Sequence, residues 1–211
     1  MIRTIQEVRL YVIVFFLVIT SIGCNQTKDY YNLPSFAEEG IVNSVVEIPS
    51  GTNKKYEYDN TSKEFIIDQE NNKDRIINFL PYPSNYGFIP STISNKKTGG
   101  DGDALDVVVI SESLERGTVI ETIPIAVLKL LDDGEKDYKI IAIPVSQDIR
   151  IINVKSYKDL KLNYPEVISI LELWFLNYNK KDKAVIEGWG NEIDAINEIR
   201  NSMKKDIKQM D

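Results

Sequence analysis

The chain has 211 residues, 43% hydrophobic and 27% charged, which is the range of one globular domain with an apolar core. Acidic residues outnumber basic ones 32 to 25, and the net charge of -7 disfavours a nucleic-acid partner. With no histidine and a single cysteine, the chain excludes imidazole metal ligands, a histidine-based triad, cysteine zinc sites and an internal disulfide. Any chemistry must use carboxylates, amines, guanidinium groups or hydroxyls.

The first residues have the order of a secretory signal. Arg3 and Arg9 precede an apolar run at 10–19, which is shorter than the roughly 20 residues that span a membrane. The sequence Ser-Ile-Gly before Cys24 resembles a bacterial lipobox, in which the cysteine is lipidated. We therefore expect a lipoprotein-type signal peptide at 1–23, although an uncleaved hydrophobic leader is the alternative.

Lipidation of Cys24 predicts where the protein acts. Several acyl chains on one cysteine give stable anchoring, so we expect an exported, membrane-anchored protein on the periplasmic or cell-surface side. An unprocessed leader would instead leave the protein in the cytoplasm. The polar residues 24–40 are interpreted as a tether, and residues 41–211 as the folded domain.

From Ile41 onward the chain consists of short β-rich runs separated by turn residues. Six strands are predicted, at Val45–Ile48, Tyr56–Tyr58, Phe65–Ile67, Val107–Ile110, Thr118–Leu131 and Tyr138–Val145. The Asp-Asp-Gly at 132–134 predicts a hairpin between the last two, and the polar residues 69–74 predict a loop. This pattern is typical of a barrel or a sandwich.

Helical periodicity is confined to the C-terminal part of the chain. One helix is predicted with Val167, Ile170, Leu171 and Trp174 on its buried face. A second is predicted with Ile193, Ile196, Ile199 and Met203 on its buried face, and with Asn191 and Asp194 at its N-terminus as cap and third residue.

Three aspartates, Asp101, Asp103 and Asp106, lie within six positions among three glycines and directly before an apolar strand. Like charges so close raise one another's pKa unless a cation neutralises them, and carboxylate oxygens favour Mg2+, Mn2+ or Ca2+. The glycines permit the tight backbone that would bring the three together. A solvated acidic turn is the alternative, whereas an EF-hand is excluded because Asp106 occupies the position of its required glycine.

A second acidic pair, Asp132 and Asp137, brackets the predicted hairpin turn. Lys139 follows two residues after Asp137, so both side chains share one face of an extended strand, and Lys55 and Glu57 do the same upstream. Carboxylates beside amines suit a metal-bound anion. Solvated turns and a solvated edge strand are the alternatives.

Five short motifs occur in the order in which family I soluble inorganic pyrophosphatases have them. They are Val46-Glu47-Ile48-Pro49, Lys55-Tyr56-Glu57, Asn85-Tyr86-Gly87, the D-x-D-x-x-D of 101–106, and Glu187-Gly188-Trp189. From about Ile41 to Met203 the chain resembles this family. It departs from the usual pattern at Ala104, where proline is more common, and at Asn179, where a lysine is usual.

The resemblance implies a mainly β (α+β) fold, a five-stranded OB-like barrel with C-terminal helices packed outside. It also implies hydrolysis of pyrophosphate to two phosphates with several Mg2+ ions, or Mn2+, in a homo-oligomer. The implied metal ligands are Asp101, Asp106, Asp132 and Asp137, with Glu47 and Glu57 acting through bound water. Asp103 would orient and deprotonate the attacking water. The implied phosphate-binding residues are Lys55, Arg75, Tyr86, Lys139 and Tyr178.

Two other functions remain open at this point. OB-like barrels often bind oligonucleotides, although the acidic balance argues against this. A non-catalytic anchored homologue is the second alternative, because Ala104 and Asn179 depart from the family pattern. At Asn179, Lys180 or Lys181 could supply the missing charge.

Overall fold

A computed structural model describes residues 28–181 and 183–204, and the predicted signal peptide and Cys24 lie outside these residues. The strands are β1 Phe36–Glu38, β2 Ile41–Ile48, β3 Tyr56–Asp59, β4 Glu64–Ile67, β5 Gln69–Glu70, β6 Lys73–Asp74, β7 Asn85–Phe88, β8 Asp106–Val109, β9 Val119–Asp132, β10 Glu135–Lys136, β11 Lys139–Pro144 and β12 Val185–Asn191. The helices are α1 Tyr157–Asn163, α2 Pro165–Asn177 and α3 Glu192–Ser202, with 3-10 turns at Tyr30–Asn32 and Lys96–Thr98.

Five strands close into a ring in the order β2, β7, β8, β11 and β9, because β9 pairs with β2 again. The closure runs from Val42 opposite Thr122 to Val45 opposite Val119. At 14 residues, β9 is long enough to pair with β2 near its start and with β11 and β12 further along. The ring confirms the expected OB-like barrel.

Both faces of β11 are buried, which explains its continuous apolar sequence. Ile141 and Ile143 belong to a cluster that includes side chains of α1 and α2, whereas Ile140 and Ala142 belong to a cluster that includes side chains of α3. Successive strand residues point to opposite faces, so one strand holds two core layers together.

Helix α2 is confirmed, but its predicted buried face is partly wrong. Pro165 occupies the first turn, and Leu171, Trp174 and Phe175 are buried, whereas Ile170 is 53% exposed. The indole N–H of Trp174 donates to the Leu80 carbonyl at 3.0 Å, which sets the helix rotation and turns Ile170 outward.

Helix α3 begins as predicted. The Asn191 side chain accepts from the Asp194 N–H at 3.1 Å, and the Asp194 carboxylate accepts from the Asn191 N–H at 2.9 Å, which is a capping box. Ile199 is fully buried, but Ile193 is 65% exposed because Ala195 and Ile199 define the inward face.

The predicted tether is wrong for residues 28–40, which pack on the barrel. Strand β1 pairs with β2, and the rings of Tyr30 and Tyr31 each lie 5.2 Å from that of Tyr58. Burial of these aromatic rings stabilises a segment whose composition is otherwise polar.

Among the described residues, no helix is long and apolar enough to cross a membrane.

Residues 69–74 form a hairpin instead of the predicted loop. β5 and β6 pair across Asn71 and Asn72, which adopt φ of 53° and 60°. Asparagine tolerates this left-handed conformation better than most residues, which permits a two-residue turn.

Strand β7, which contains Gly87, was not predicted. A Cβ at Gly87 would lie 1.8 Å from the Val45 carbonyl oxygen of β2. The glycine is therefore needed for close approach of two strands and does not mark a turn. Strand β12 and helix α1 were also not predicted.

Candidate active site

All twelve residues to which the resemblance assigns a role in metal binding, phosphate binding or catalysis line one cavity of about 560 Å³. They come from β2, β3, β7, β8, β9 and β11 and from the connections between strands. Ten carboxylate side chains and three basic side chains line this cavity, so its lining is strongly acidic. The basic residues are Lys55, Arg75 and Lys139.

Lys139 lies at the centre of the acidic wall and is 3% exposed. Its ammonium contacts the carboxylates of Asp106 and Asp137 and donates to the Tyr86 hydroxyl at 3.1 Å. The parallel pairing of β8 and β11 places Asp106 directly opposite Lys139. Burial alone would lower the pKa of Lys139, but the two carboxylates outweigh it and raise this pKa well above its ordinary value.

Two further carboxyl groups hold protons more tightly than usual. Burial raises the pKa of Glu47 to about 8, with Asp106 and Glu57 adding to the shift, although the carboxylate accepts from the Tyr58 N–H at 2.8 Å. Burial, and then repulsion from Asp101, raises the pKa of Asp103. Both shifts arise first from burial, and repulsion between neighbouring carboxylates adds to them.

The glycine-rich loop before β8 is as tight as predicted. A Cβ at Gly100 would lie 2.2 Å from the Ser94 hydroxyl oxygen, and Gly102 has a φ of 97°. The Asp103 N–H donates to the Asp101 carboxylate at 2.9 Å, so the two acids are held side by side. Only glycine allows the close approach of residue 100 to Ser94, and the positive φ at 102, without moving the backbone.

The expected metal ligands all line one cavity, but they are not arranged around a common ion position. Across 28–181 and 183–204, no three carboxylates are arranged to hold one ion. Two expected ligands, Asp106 and Asp137, instead contact the Lys139 ammonium, which supplies the positive charge between them. The donors nonetheless fit Mg2+ or Mn2+, because they are carboxylate oxygens in a strongly acidic cavity.

The other two cations, Lys55 and Arg75, lie near Tyr178 in a second wall of the cavity. The Lys55 ammonium lies 2.6 Å from Glu57, and the Arg75 guanidinium lies 3.2 Å from Asp68. Tyr178 follows α2, and its ring stacks on that of Trp174 at 4.7 Å. This wall presents two cations and a phenol to the cavity, a combination suited to phosphate oxygens.

Sequence reasoning missed several residues of this region, including the lining carboxylates Asp59, Asp133 and Glu135. Tyr31 and Tyr82 line the cavity, and Asp68 lies behind its cationic wall. Tyr31 was assigned to the tether, and Tyr82 lies next to the recognised Asn-Tyr-Gly motif. No spacing rule points to Asp68, because its partners lie 13 positions before and seven positions after it.

Neither Lys180 nor Lys181 is among the described residues that line the cavity. The Lys181 ammonium pairs with Glu70 at 2.6 Å, and its backbone N–H donates to the Asn179 side chain at 3.2 Å. The structure therefore does not place either lysine where the family's usual lysine was expected. The Glu187-Gly188-Trp189 motif also lies outside the cavity, and the Trp189 indole N–H donates to Glu172 at 2.7 Å.

Comparison with known proteins places the chain in a family. Residues 44–206 match the family model described as inorganic pyrophosphatase. The chain is 32% identical over 183 residues to the inorganic pyrophosphatase of Synechocystis, covering 85% of this chain and 99% of that protein. It is 37% identical over 171 residues to that of Sulfolobus acidocaldarius, covering 78% and 91%.

Solved structures agree with the sequence comparison. The inorganic pyrophosphatase of Thermus thermophilus matches with a TM-score of 0.72 and 26% identity, covering 83% of this chain and 97% of that one. The inorganic pyrophosphatase of Neisseria gonorrhoeae matches with a TM-score of 0.70 and 31% identity at the same coverage. The chain is therefore a member of the inorganic pyrophosphatase family.

Proposed function

We propose that the protein is an inorganic diphosphatase that hydrolyses pyrophosphate to two phosphates in the presence of Mg2+. The observation that carries this proposal is the convergence of all twelve expected residues on one cavity in a member of the pyrophosphatase family. The excess of carboxylates in the cavity suits a divalent cation, and the basic side chains suit a polyanionic substrate.

The carboxylates would hold the metal. Asp101, Asp106, Asp132 and Asp137 are the proposed ligands, and Glu47 and Glu57 would act through bound water. When bound, Mg2+ would acidify coordinated water and neutralise charge on the phosphates.

The chain's own groups supply the rest of the chemistry. Asp103 is proposed to take the proton of the attacking water at its carboxylate, which lines the cavity beside Asp101. Lys55, Arg75 and Lys139, with the hydroxyls of Tyr86 and Tyr178, would bind phosphate oxygens and stabilise the charge that develops on the leaving phosphate.

A phosphate-release assay with pyrophosphate and Mg2+, with EDTA as the control, tests this function. Asp103→Asn should lower kcat by about 100-fold or more, because a positioned base contributes roughly 10²–10⁴. Asp74→Asn, an exposed aspartate outside the cavity, is the matched control and should keep wild-type turnover. Near-normal kcat in Asp103→Asn would remove Asp103 from the base role, and no EDTA-sensitive phosphate release from the wild type would refute the function.

The structure favours this reading over the two alternatives. A cavity lined by ten carboxylates would repel an oligonucleotide backbone, which argues against a nucleic-acid-binding module. A non-catalytic homologue has no reason to keep all twelve residues on one cavity.

We further propose export and anchoring through a lipid on Cys24, supported by the signal-like order of residues 1–23. The first helical turn begins at Tyr30, six positions after Cys24, a span of at most about 20 Å of extended chain. The domain would therefore sit close to the membrane surface. Incorporation of labelled fatty acid, lost in Cys24→Ala, is expected, and an unlabelled wild type would refute the anchor.

We also propose that the protein self-associates through α2. Three large apolar side chains on this helix, Ile170, Leu173 and Leu176, are 53%, 61% and 41% exposed, and Leu80 beside them is 66% exposed. A second copy of the same face would cover this patch. Light scattering should show an oligomer that Leu173→Lys dissociates and that Ile193→Lys, an equally exposed change on α3, leaves intact. A monomeric wild type would refute the proposal.

A further inference from the structure

Asp68 follows β4 directly, at the base of the β5–β6 hairpin. One of its carboxylate oxygens lies 3.2 Å from an Arg75 guanidinium nitrogen and 3.5 Å from the Lys55 ammonium nitrogen. The three side chains are similarly shielded, at 23%, 21% and 22% exposed. Asp68 does not line the cavity, whereas Lys55 and Arg75 both do. The carboxylate thus lies behind two cations that face the cavity.

The backbone joins the same three residues independently of their side chains. The Asp68 N–H donates to the Lys55 carbonyl at 2.9 Å, and the Arg75 N–H donates to the Asp68 carbonyl at 2.8 Å. The Lys55 N–H donates to the Arg75 carbonyl at 3.0 Å, which completes the ring. Replacing the Asp68 side chain leaves these hydrogen bonds intact, so the local fold is expected to survive the change.

Two cations on one wall repel each other. Without the carboxylate between them, the two side chains would separate more readily, and a phosphate would have to bring them together on binding. The Asp68 carboxylate lies within reach of both and lowers the energy of the arrangement in which they point together. Among the ion pairs of the described residues, Glu57 contacts Lys55, whereas Asp68 contacts both cations.

We propose that Asp68 is a positioning residue for pyrophosphate, which holds Lys55 and Arg75 ready to bind one phosphate group. This inference rests on the proposed function and names a residue to which the resemblance assigned no role. Asp68 acts through the two cations and does not itself touch the substrate. Replacing Asp68 should therefore weaken substrate binding, because Asp103 and the proposed metal ligands lie on other strands and loops.

The test compares steady-state kinetics of the full-length protein in three variants. Asp68→Ala and Asp68→Asn should each raise KM for pyrophosphate about tenfold, with kcat within about twofold of wild type, because each removes one charged partner of both cations. Inhibition by inorganic phosphate should weaken by a similar factor. Asp74→Asn changes an exposed carboxylate of β6 that pairs with Gln69 across the same hairpin and accepts from its side chain at 2.7 Å, and this variant should keep the wild-type KM.

If Asp68 only stabilised the fold or the metal site, its replacement would change the melting temperature or the Mg2+ requirement. The Mg2+ concentration for half-maximal activity and the melting temperature should stay at wild-type values in both Asp68 variants. A wild-type KM in Asp68→Ala would overturn the proposal, as would an equal KM rise in Asp74→Asn. A lower KM would also overturn it, because the carboxylate would then oppose phosphate more than it orders the cations. A wild type without pyrophosphate hydrolysis would refute the proposed function itself, and this inference with it.

Discussion

Lys139→Met removes the one positive charge that contacts both Asp106 and Asp137. The ammonium is 3% exposed and also donates to the Tyr86 hydroxyl. Methionine keeps much of the length and the apolar stem of lysine, so the variant isolates the charge. Two carboxylates are left facing each other in the cavity wall.

The size of the effect follows from burial. Removing one partner of a buried ion pair costs about 3–5 kcal/mol, because a charge is left uncompensated. The side chains of Asp106 and Asp137 are 22% and 16% exposed, so water can reach them and the lower limit applies. We expect a loss of about 3 kcal/mol in the free energy of unfolding, or roughly 6–12 °C in melting temperature for a domain of this size.

Denaturant unfolding measures this loss in EDTA and again with excess Mg2+. In EDTA the full loss is expected, whereas bound Mg2+ would supply the missing positive charge and reduce the loss. Lys136→Met, an exposed lysine on neighbouring β10, is the matched control and should resemble the wild type in both conditions. A metal-free Lys139→Met as stable as the wild type would refute the reasoning, as would a loss that Mg2+ leaves unchanged.

Three further predictions concern Glu47, Gly87 and Lys181. Since burial raises the folded-state pKa of Glu47 to about 8, metal-free wild type should lose stability as pH rises from 4.5 through 8. Glu47→Gln should remove this loss, up to roughly 5 kcal/mol, and urea unfolding that gives equal stabilities for both proteins at pH 9 would contradict it. Gly87→Ala should destabilise by about 3 kcal/mol, because its Cβ would overlap the Val45 carbonyl, and an unchanged melting temperature would argue against that contact. Lys181→Ala should change KM less than twofold because the exposed lysine pairs with Glu70 and neither residue lines the cavity, whereas a tenfold rise in KM would show that it reaches the substrate.

Local features were predictable because their causes are local. The capping box of Asn191 and Asp194 depends on residues three positions apart, and the hairpin turn at 132–134 depends on residues that tolerate positive φ. The prediction of which helix face is buried was less accurate. Periodicity identified α2, but the hydrogen bond from Trp174 to Leu80, 94 positions away, turned Ile170 to the surface.

Strand spacing predicted that Asp137 and Lys139 share a face, but it could not show that Asp106 meets them. That contact depends on the register of two parallel strands, β8 and β11, which are separated by the long β9. Asp68 was missed for the same reason, since its partners belong to two other segments joined by backbone hydrogen bonds. The packing of residues 28–40 depends on aromatic partners at Tyr58 and Phe88, which are distant in the sequence from this segment.

The sequence by itself determined the chemistry available to this protein. Without histidine, and with one cysteine outside the described domain, only oxygen ligands and basic side chains remain for a metal and a phosphate, and five ordered motifs identify the family. Only the tertiary structure decided which charges are neighbours. Barrel closure pairs β2 with β9 across about 75 to 80 positions, and such long-range register sets the distances between side chains that the chain order leaves undefined.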